Sequence, residues 1–201
     1  MDFKEAKELI IKTGKQHTRR EDFTLSGDKE EAYEKIFYYF TNKVEAEKLG
    51  LSAKKGLFLF GPVGVGKTKC LEVFNKFFST TWREVNEQEF NYEFHSFQII
   101  TAPEIALKTA LDGFKMIYYY ASLPLCIDDL GMESPVFNYG TKIDALAELI
   151  YLRHRKGCRT HATSNCTPEA LENLYGTRIY DRMREMFNFI VFDPDGKSLR
   201  G

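Results

Sequence analysis

Leu57-Phe58-Leu59-Phe60-Gly61-Pro62-Val63-Gly64-Val65-Gly66-Lys67-Thr68 decides the fold, because an apolar strand runs directly into a glycine-rich loop closed by a lysine and a hydroxyl. A triphosphate needs several donors converging on a small volume of negative charge. Successive backbone N–H groups at a helix N-terminus supply them without ordering long side chains. Gly61, Gly64 and Gly66 let the backbone approach closely, Lys67 has the reach for the β- and γ-phosphates, and the Thr68 hydroxyl suits a magnesium ion bridging them. The candidate nucleotide-binding set is Gly61, Pro62, Val63, Gly64, Val65, Gly66, Lys67, Thr68 and Lys69, with ATP and Mg2+ as ligands.

Outward from this loop the pattern alternates strand and helix. A helix is expected from about Lys67 to Ser79, with Cys70, Leu71, Val73, Phe74, Phe77 and Phe78 on its inner face. Upstream, helical spacing runs from Asp28 to Lys48 through Ala32, Tyr33, Ile36, Phe37, Phe40 and Val44, with Gly50 as the stop. A shorter helix is expected from Asp2 to Lys12, ended by Gly14 and followed by a polar linker from Lys15 to Arg20. Downstream, Trp82 to Asn91 reads as irregular and Phe97 to Ile100 as a strand. Thr101-Ala102-Pro103-Glu104 then caps a helix expected to reach about Lys115. Leu125-Cys126-Ile127 is a short buried strand ending in Asp128-Asp129, and Gly131 to Gly140 reads as an extended loop. Lys142 to Lys156 is helical, His161-Ala162-Thr163 a strand, Thr167-Pro168-Glu169 the start of a helix ended by Gly176, and Phe189 to Phe192 a last strand. Such alternation implies an α/β fold, a mostly parallel sheet flanked by helices, with ligands at the strand C-terminal ends.

Length and charge narrow the field. The 201 residues suit one main domain of the P-loop NTPase kind, residues 23–201, behind a short helical extension, residues 1–22. With 28 basic and 29 acidic residues the formal charge is -1, so no global field draws the chain to nucleic acid or anionic lipid. Cys70, Cys126, Cys158 and Cys166 form no CxxC pair and read as reduced core thiols of a cytoplasmic protein. No apolar run approaches membrane-spanning length.

The chemistry-bearing acids are Asp128 and Asp129 at the tip of a strand. Asp128 is the metal-side carboxylate, acting with Thr68, and Asp129 the group that orients or deprotonates an attacking water. Tyr118-Tyr119-Tyr120 could stack single-stranded bases, although aromatics beside a strand are more often core. Arg153-His154-Arg155-Lys156 could touch phosphates, but its place at a helix end already suits cations.

LCIDDLGMES, the strand end Thr163-Ser164-Asn165, and YGTRIYDRM at Tyr175 to Met183, following the phosphate loop in this order and spacing, resemble the DnaC and DnaI-type helicase loaders. The IstB-type transposition ATPases, a sister group in the AAA+ superfamily, look similar too. The resemblance spans roughly Phe23 to Phe192. It implies an AAA+ core in which Asn165 senses the γ-phosphate and Arg182, with Arg178 second, reaches the nucleotide of a neighbouring subunit. Phe23 resembles a residue that packs near adenine, and core packing explains it equally well. Asp129 stands where many AAA+ proteins have Glu, and little chain follows Phe192 for a C-terminal lid or a helix-turn-helix.

The function implied is an ATP-hydrolysing loader of the replicative DNA helicase, working as a nucleotide-dependent homo-oligomer on single-stranded DNA. The alternatives are an IstB-like ATPase that assists a transposase and a non-catalytic, ATP-switched adaptor.

Overall fold

The computed structural model describes residues 1–85, 92–138 and 141–192. Most of the segment expected to be irregular, Trp82 to Asn91, lies outside the described residues. The described chain divides into two compact units.

The first unit comprises Met1–Ala53, Pro62–Phe97 and Phe192–Gly201. Helix α1 (Phe3–Thr18) opens on a capping box, in which the Asp2 carboxylate accepts from the Glu5 N–H and the Glu5 carboxylate from the Asp2 N–H. It does not stop at Gly14 as the sequence predicts, but runs on to Arg19, which takes a left-handed conformation at φ 56°. Gly14 is there for close approach. A Cβ at this position would lie 2.2 Å from Phe23 Cε1. Phe23 is accordingly a core residue, edge-on to Tyr33 at 6.3 Å with Lys29 Nζ 4.2 Å above its ring.

The single helix expected from Asp28 to Lys48 is two, α2 (Gly27–Thr41) and α3 (Lys43–Lys48). Asn42 causes the break, because its side chain accepts from the N–H groups of Val44 and Glu45 and so caps a new helix. Val44, assigned by periodicity to the buried face, is exposed as a result. Helix α4 (Lys67–Phe77) passes into a π-helical turn (Phe78–Trp82) and a short α5 (Arg83–Val85), and α6 (Tyr92–His95) follows. The core here is aromatic. Phe40 meets Phe78 at 4.9 Å, Phe74 lies over Phe78 at 5.9 Å, and Phe37 meets Trp82 edge-on at 5.9 Å. His17 of α1 and Lys69 of α4 both reach the Glu72 carboxylate, at 2.9 Å and 2.6 Å.

The second unit comprises Lys54–Gly61 and Gln98–Val191. Its strands are β1 (Gly56–Phe60), β2 (Gln98–Thr101), β3 (Leu125–Asp128), β4 (Val136–Asn138), β5 (Thr141–Ile143), β6 (Thr160–Ser164) and β7 (Phe187–Val191). Five form an all-parallel sheet in the order β2-β3-β6-β1-β7. β4 and β5 form a separate antiparallel pair; β4 falls in the expected loop, and β5 takes Lys142 and Ile143, expected to open a helix that instead starts at Ala145, the strands being too short to show a period-two signal. The helices are α7 (Ala102–Asp112), α8 (Phe114–Tyr120), α9 (Ala145–Lys156), α10 (Pro168–Tyr175) and α11 (Thr177–Met186). Thr101 and Thr167 cap α7 and α10 as read from the sequence, while Gly113 ends α7 before Lys115. No helix follows β7 among the described residues.

Register is what positions the site. Phe60 pairs with Ser164, Ile127 with Ala162 and Thr101 with Asp128, so the C-terminal ends of β1, β6 and β3 stand side by side. Gly56 makes the β1–β6 contact possible, since a Cβ there would fall 1.6 Å from the Thr160 carbonyl oxygen. Phe58, Ile127, Ala162, Leu146, Leu149 and Phe187 form the core of this unit, as expected of parallel strands covered by helices.

Three surface readings change. Only Tyr120 of the tyrosine triplet is core, and Tyr118 and Tyr119 are exposed. Arg153, read as part of a basic cluster, is wholly buried. Cys70 and Cys126 are buried, Cys158 and Cys166 half-buried, and all four are free thiols. No helix among the described residues is long and apolar enough to cross a membrane.

Candidate nucleotide site

The phosphate loop has the backbone its glycines predict. Gly64 and Gly66 sit at φ 88° and 95°, a region that side chains with a Cβ rarely adopt. Gly66 is the N-cap of α4 and, lacking a side chain, makes no side-chain cap hydrogen bond. No acid lies in that turn, which begins with Lys67, Thr68 and Lys69. A helix start of this kind favours an anion. Lys67 is 5% exposed, and its Nζ donates to the Pro62 carbonyl at 2.7 Å, arching across its own loop.

The acids sit at the end of β3, tied to β6. Asp128 is 6% exposed, and its Oδ1 accepts from the Thr163 hydroxyl at 2.6 Å. The same hydroxyl accepts from the Asp129 N–H at 3.0 Å. Thr163 therefore fixes both aspartates at once, its proton committed to Asp128 and its lone pair to the Asp129 backbone. Asp129 adopts φ 53°, an uncommon conformation that Asp tolerates better than most residues. Its Oδ1 accepts from Asn165 Nδ2 at 3.1 Å. Two further bonds lock the strand ends, from the Leu130 N–H to the Thr163 carbonyl at 2.8 Å and from the Ser164 hydroxyl to the Leu130 carbonyl at 2.6 Å. The Gly61 N–H donates to the Ser164 carbonyl at 3.3 Å, which anchors the exit of β1 to β6 beside this network.

Asp128, Asp129 and Asn165, which the sequence reading gave separate roles, are brought together here, the two aspartates through Thr163, and Asn165 directly on Asp129. That reading had assigned no role to Thr163 or to Glu133. Glu133 holds the turn after β3, its carboxylate accepting from the Gly131 N–H at 2.9 Å and from the Tyr175 hydroxyl. Burial and the neighbouring Glu133 carboxylate push the Tyr175 hydroxyl well above its ordinary pKa, so it stays a donor. The only sequence hint was that both residues belong to the quoted motifs.

The arginines lie elsewhere in the same unit. Arg178 is exposed on α11. Arg182, half-buried one turn later, donates from Nη1 to the Arg178 carbonyl at 2.6 Å, and its guanidinium lies 5.0 Å from the Tyr151 ring of α9.

A magnesium ion fits the donor set in kind. Among the described residues no three acidic, histidine or cysteine side chains cluster as a metal cage. A single hydroxyl or a single buried carboxylate is the kind of donor a magnesium ion uses when it keeps its waters and arrives with phosphates.

No family model and no curated protein matches this sequence. Solved structures do match it, and the fold they define is that of the AAA+ proteins. Within that class the chain is similar to DnaI, at 27% identity over 73% of each chain and a TM-score of 0.50. It is also similar to the DnaC helicase loader, at 17% identity over 86% of this chain and 94% of that one, with a TM-score of 0.58. DnaA from Aquifex aeolicus, a structure that holds AMPPCP, matches at 16% identity over 89% of this chain and 51% of its own, with a TM-score of 0.51. The DnaC-like resemblance carried by the four sequence motifs is borne out by these likenesses.

Proposed function

We propose that this chain binds Mg2+-ATP at residues 61–69 and hydrolyses it as a DnaC-like loader of the replicative DNA helicase. The observation that carries the reading is the set of four polar side chains, Asp128, Asp129, Thr163 and Asn165, held at adjoining strand ends from which the phosphate loop also departs.

The residues divide the work by their chemistry. Backbone N–H groups of the loop and Lys67 bind the phosphates, Lys67 exchanging the Pro62 carbonyl for phosphate oxygen. Thr68 and Asp128 hold the magnesium, which supplies charge neutralisation when bound. Asp129 accepts a proton from, or orients, the attacking water, and Asn165 keeps the Asp129 carboxylate aligned while its amide can donate to phosphate. Arg182, with Arg178 second, reaches the nucleotide of a neighbouring copy and neutralises charge on the transferring group. Such an arginine is worth about 10³-fold or more in related reactions.

A helicase is the favoured partner over a transposase because the similar structures include DnaI and a DnaC helicase loader. The switched adaptor remains the second reading, favoured by the direct Asn165–Asp129 bond, which occupies one oxygen of the proposed base. Single-stranded DNA is a further proposed ligand, with Tyr118 and Tyr119 the aromatics exposed for it.

Arg182→Ala tests the mechanism. It is expected to keep ATP affinity and lose at least 100-fold in turnover at protein concentrations that favour assembly, a fraction of the effect cited for such arginines. Unchanged turnover would remove the intersubunit mechanism, and tight binding without phosphate release in the parent chain would favour the adaptor. ATP-dependent retention of the replicative helicase, absent with Lys67→Ala, tests the partner.

A further inference from the structure

Two arginines of the second unit, Arg153 and Arg182, are held in different ways. Arg153 is fully buried and every direction of its guanidinium is used, with donations to the Thr160 hydroxyl, to the Arg159 and Leu123 carbonyls and to the Tyr120 carbonyl. Arg182 is held by one carbonyl of its own helix and by the face of Tyr151, and its buried Nε has no hydrogen-bond partner among the described residues. Burying a donor without a partner costs free energy in the resting fold, so Arg182 is less fully committed to the scaffold than Arg153. A guanidinium kept in place by a ring face keeps its donors for another acceptor.

The ring that holds it is shared. Arg155 also faces Tyr151, at 5.6 Å, so α9 presents one aromatic to two cations, one from its own next turn and one from α11. Among the described residues no acidic side chain forms an ion pair with Arg155 or Arg182, whereas neighbouring His154 and Arg184 have Glu185 and Asp181. Two like charges gathered on one ring, without a paired carboxylate, make a receptor for an anion from outside.

From this geometry we infer that Tyr151 is a positioning residue for Arg182, presenting its guanidinium to the triphosphate of a neighbouring copy. The inference rests on the proposed role of Arg182 in trans. Tyr151 touches neither nucleotide nor metal in this scheme. It acts through the arginine, by restricting a long side chain that would otherwise sample many rotamers.

A mixing experiment on the full chain separates the two claims. Acceptor subunits carry Arg182→Ala and bind ATP, while donor subunits carry Lys67→Ala and provide only the arginine. The donor with Tyr151 intact should restore ATP hydrolysis to the acceptor, and failure to restore it overturns the trans role of Arg182 and this inference with it. Given that restoration, a donor also carrying Tyr151→Leu should restore about tenfold less, the scale of a cation–π contact in a partly desolvated site. Tyr151→Phe, which keeps the ring, should rescue most of the activity. Equal restoration by the Leu and Phe donors would overturn the inference. Tyr151→Met serves as a second variant without a ring. ATP affinity and the urea midpoint of each single Tyr151 variant should match the parent, and a Leu or Met donor that loses restoration only together with its fold would assign Tyr151 to the scaffold instead.

Discussion

Thr163 shows how much one hydroxyl can organise. It donates to Asp128 and accepts from the Asp129 backbone, so replacing it with the near-isosteric Val removes both bonds without emptying space. The Asp129 N–H then lacks this partner, at a cost of about 1–3 kcal/mol. Thr163→Val is expected to lower ATP turnover by about ten- to a hundredfold, since each 1.36 kcal/mol of lost alignment is a factor of ten. ATP affinity should change less, because the phosphate loop is untouched. Steady-state hydrolysis and nucleotide titration on the same preparation check the split, and an equal loss in both would mean that Thr163 serves only the fold. The sequence pointed to the aspartates by their place at a strand end and to Asn165 by the family resemblance. It could not point to Thr163, whose role depends on which strand neighbours β3.

At the scale of elements, Arg153 ties together two stretches of chain, residues 120–123 and 153–160. It leaves the last turn of α9 and bonds the end of α8, the turn before β3 and both sides of the entry to β6. Burial lowers its pKa to about 10, which still leaves it charged at neutral pH. Arg153→Met should destabilise the protein by about 3 kcal/mol or more, because several carbonyls lose their donor at once. Arg153→Lys should recover little of this, as one ammonium cannot reproduce a planar fork. Urea unfolding of the two variants gives the comparison, and a near-native Lys variant would show that charge alone matters there. Helical periodicity placed Arg153 correctly on α9 but read it as surface, since cations are common at helix ends. The same limit explains the other misplaced elements. Thr101 and Thr167 declared their caps, while Asn42 broke a helix whose apolar spacing ran straight through it, and Gly14 looked like a stop because its partner Phe23 lies in the next segment.

Across the whole molecule, the order β2-β3-β6-β1-β7 puts a histidine in the middle of the sheet, and this gives stability a pH dependence. His161 Nδ1 accepts from the Leu57 N–H at 3.2 Å, and burial, with Arg159 and Arg153 nearby, lowers its pKa from 6.5 to about 3. Between those values the unfolded chain binds a proton that the folded chain refuses, so stability rises with pH across the window. The contribution is complete above pH 6.5 and is lost as pH falls toward 3. The urea midpoint should therefore drop between pH 7 and about pH 4.5. His161→Gln, less stable at neutral pH, should show a shallower acid slope. An equal slope in both proteins would assign the acid sensitivity to other groups.

The Lys67–Pro62 contact has a kinetic meaning as well. A loop that depended on phosphate to hold its lysine would have to re-form at every turnover. Here the lysine closes on its own backbone, so its ammonium has a seat that the chain itself supplies. On the proposed ATPase reading, nucleotide entry would begin by displacing a carbonyl and would not wait for the loop to find its form.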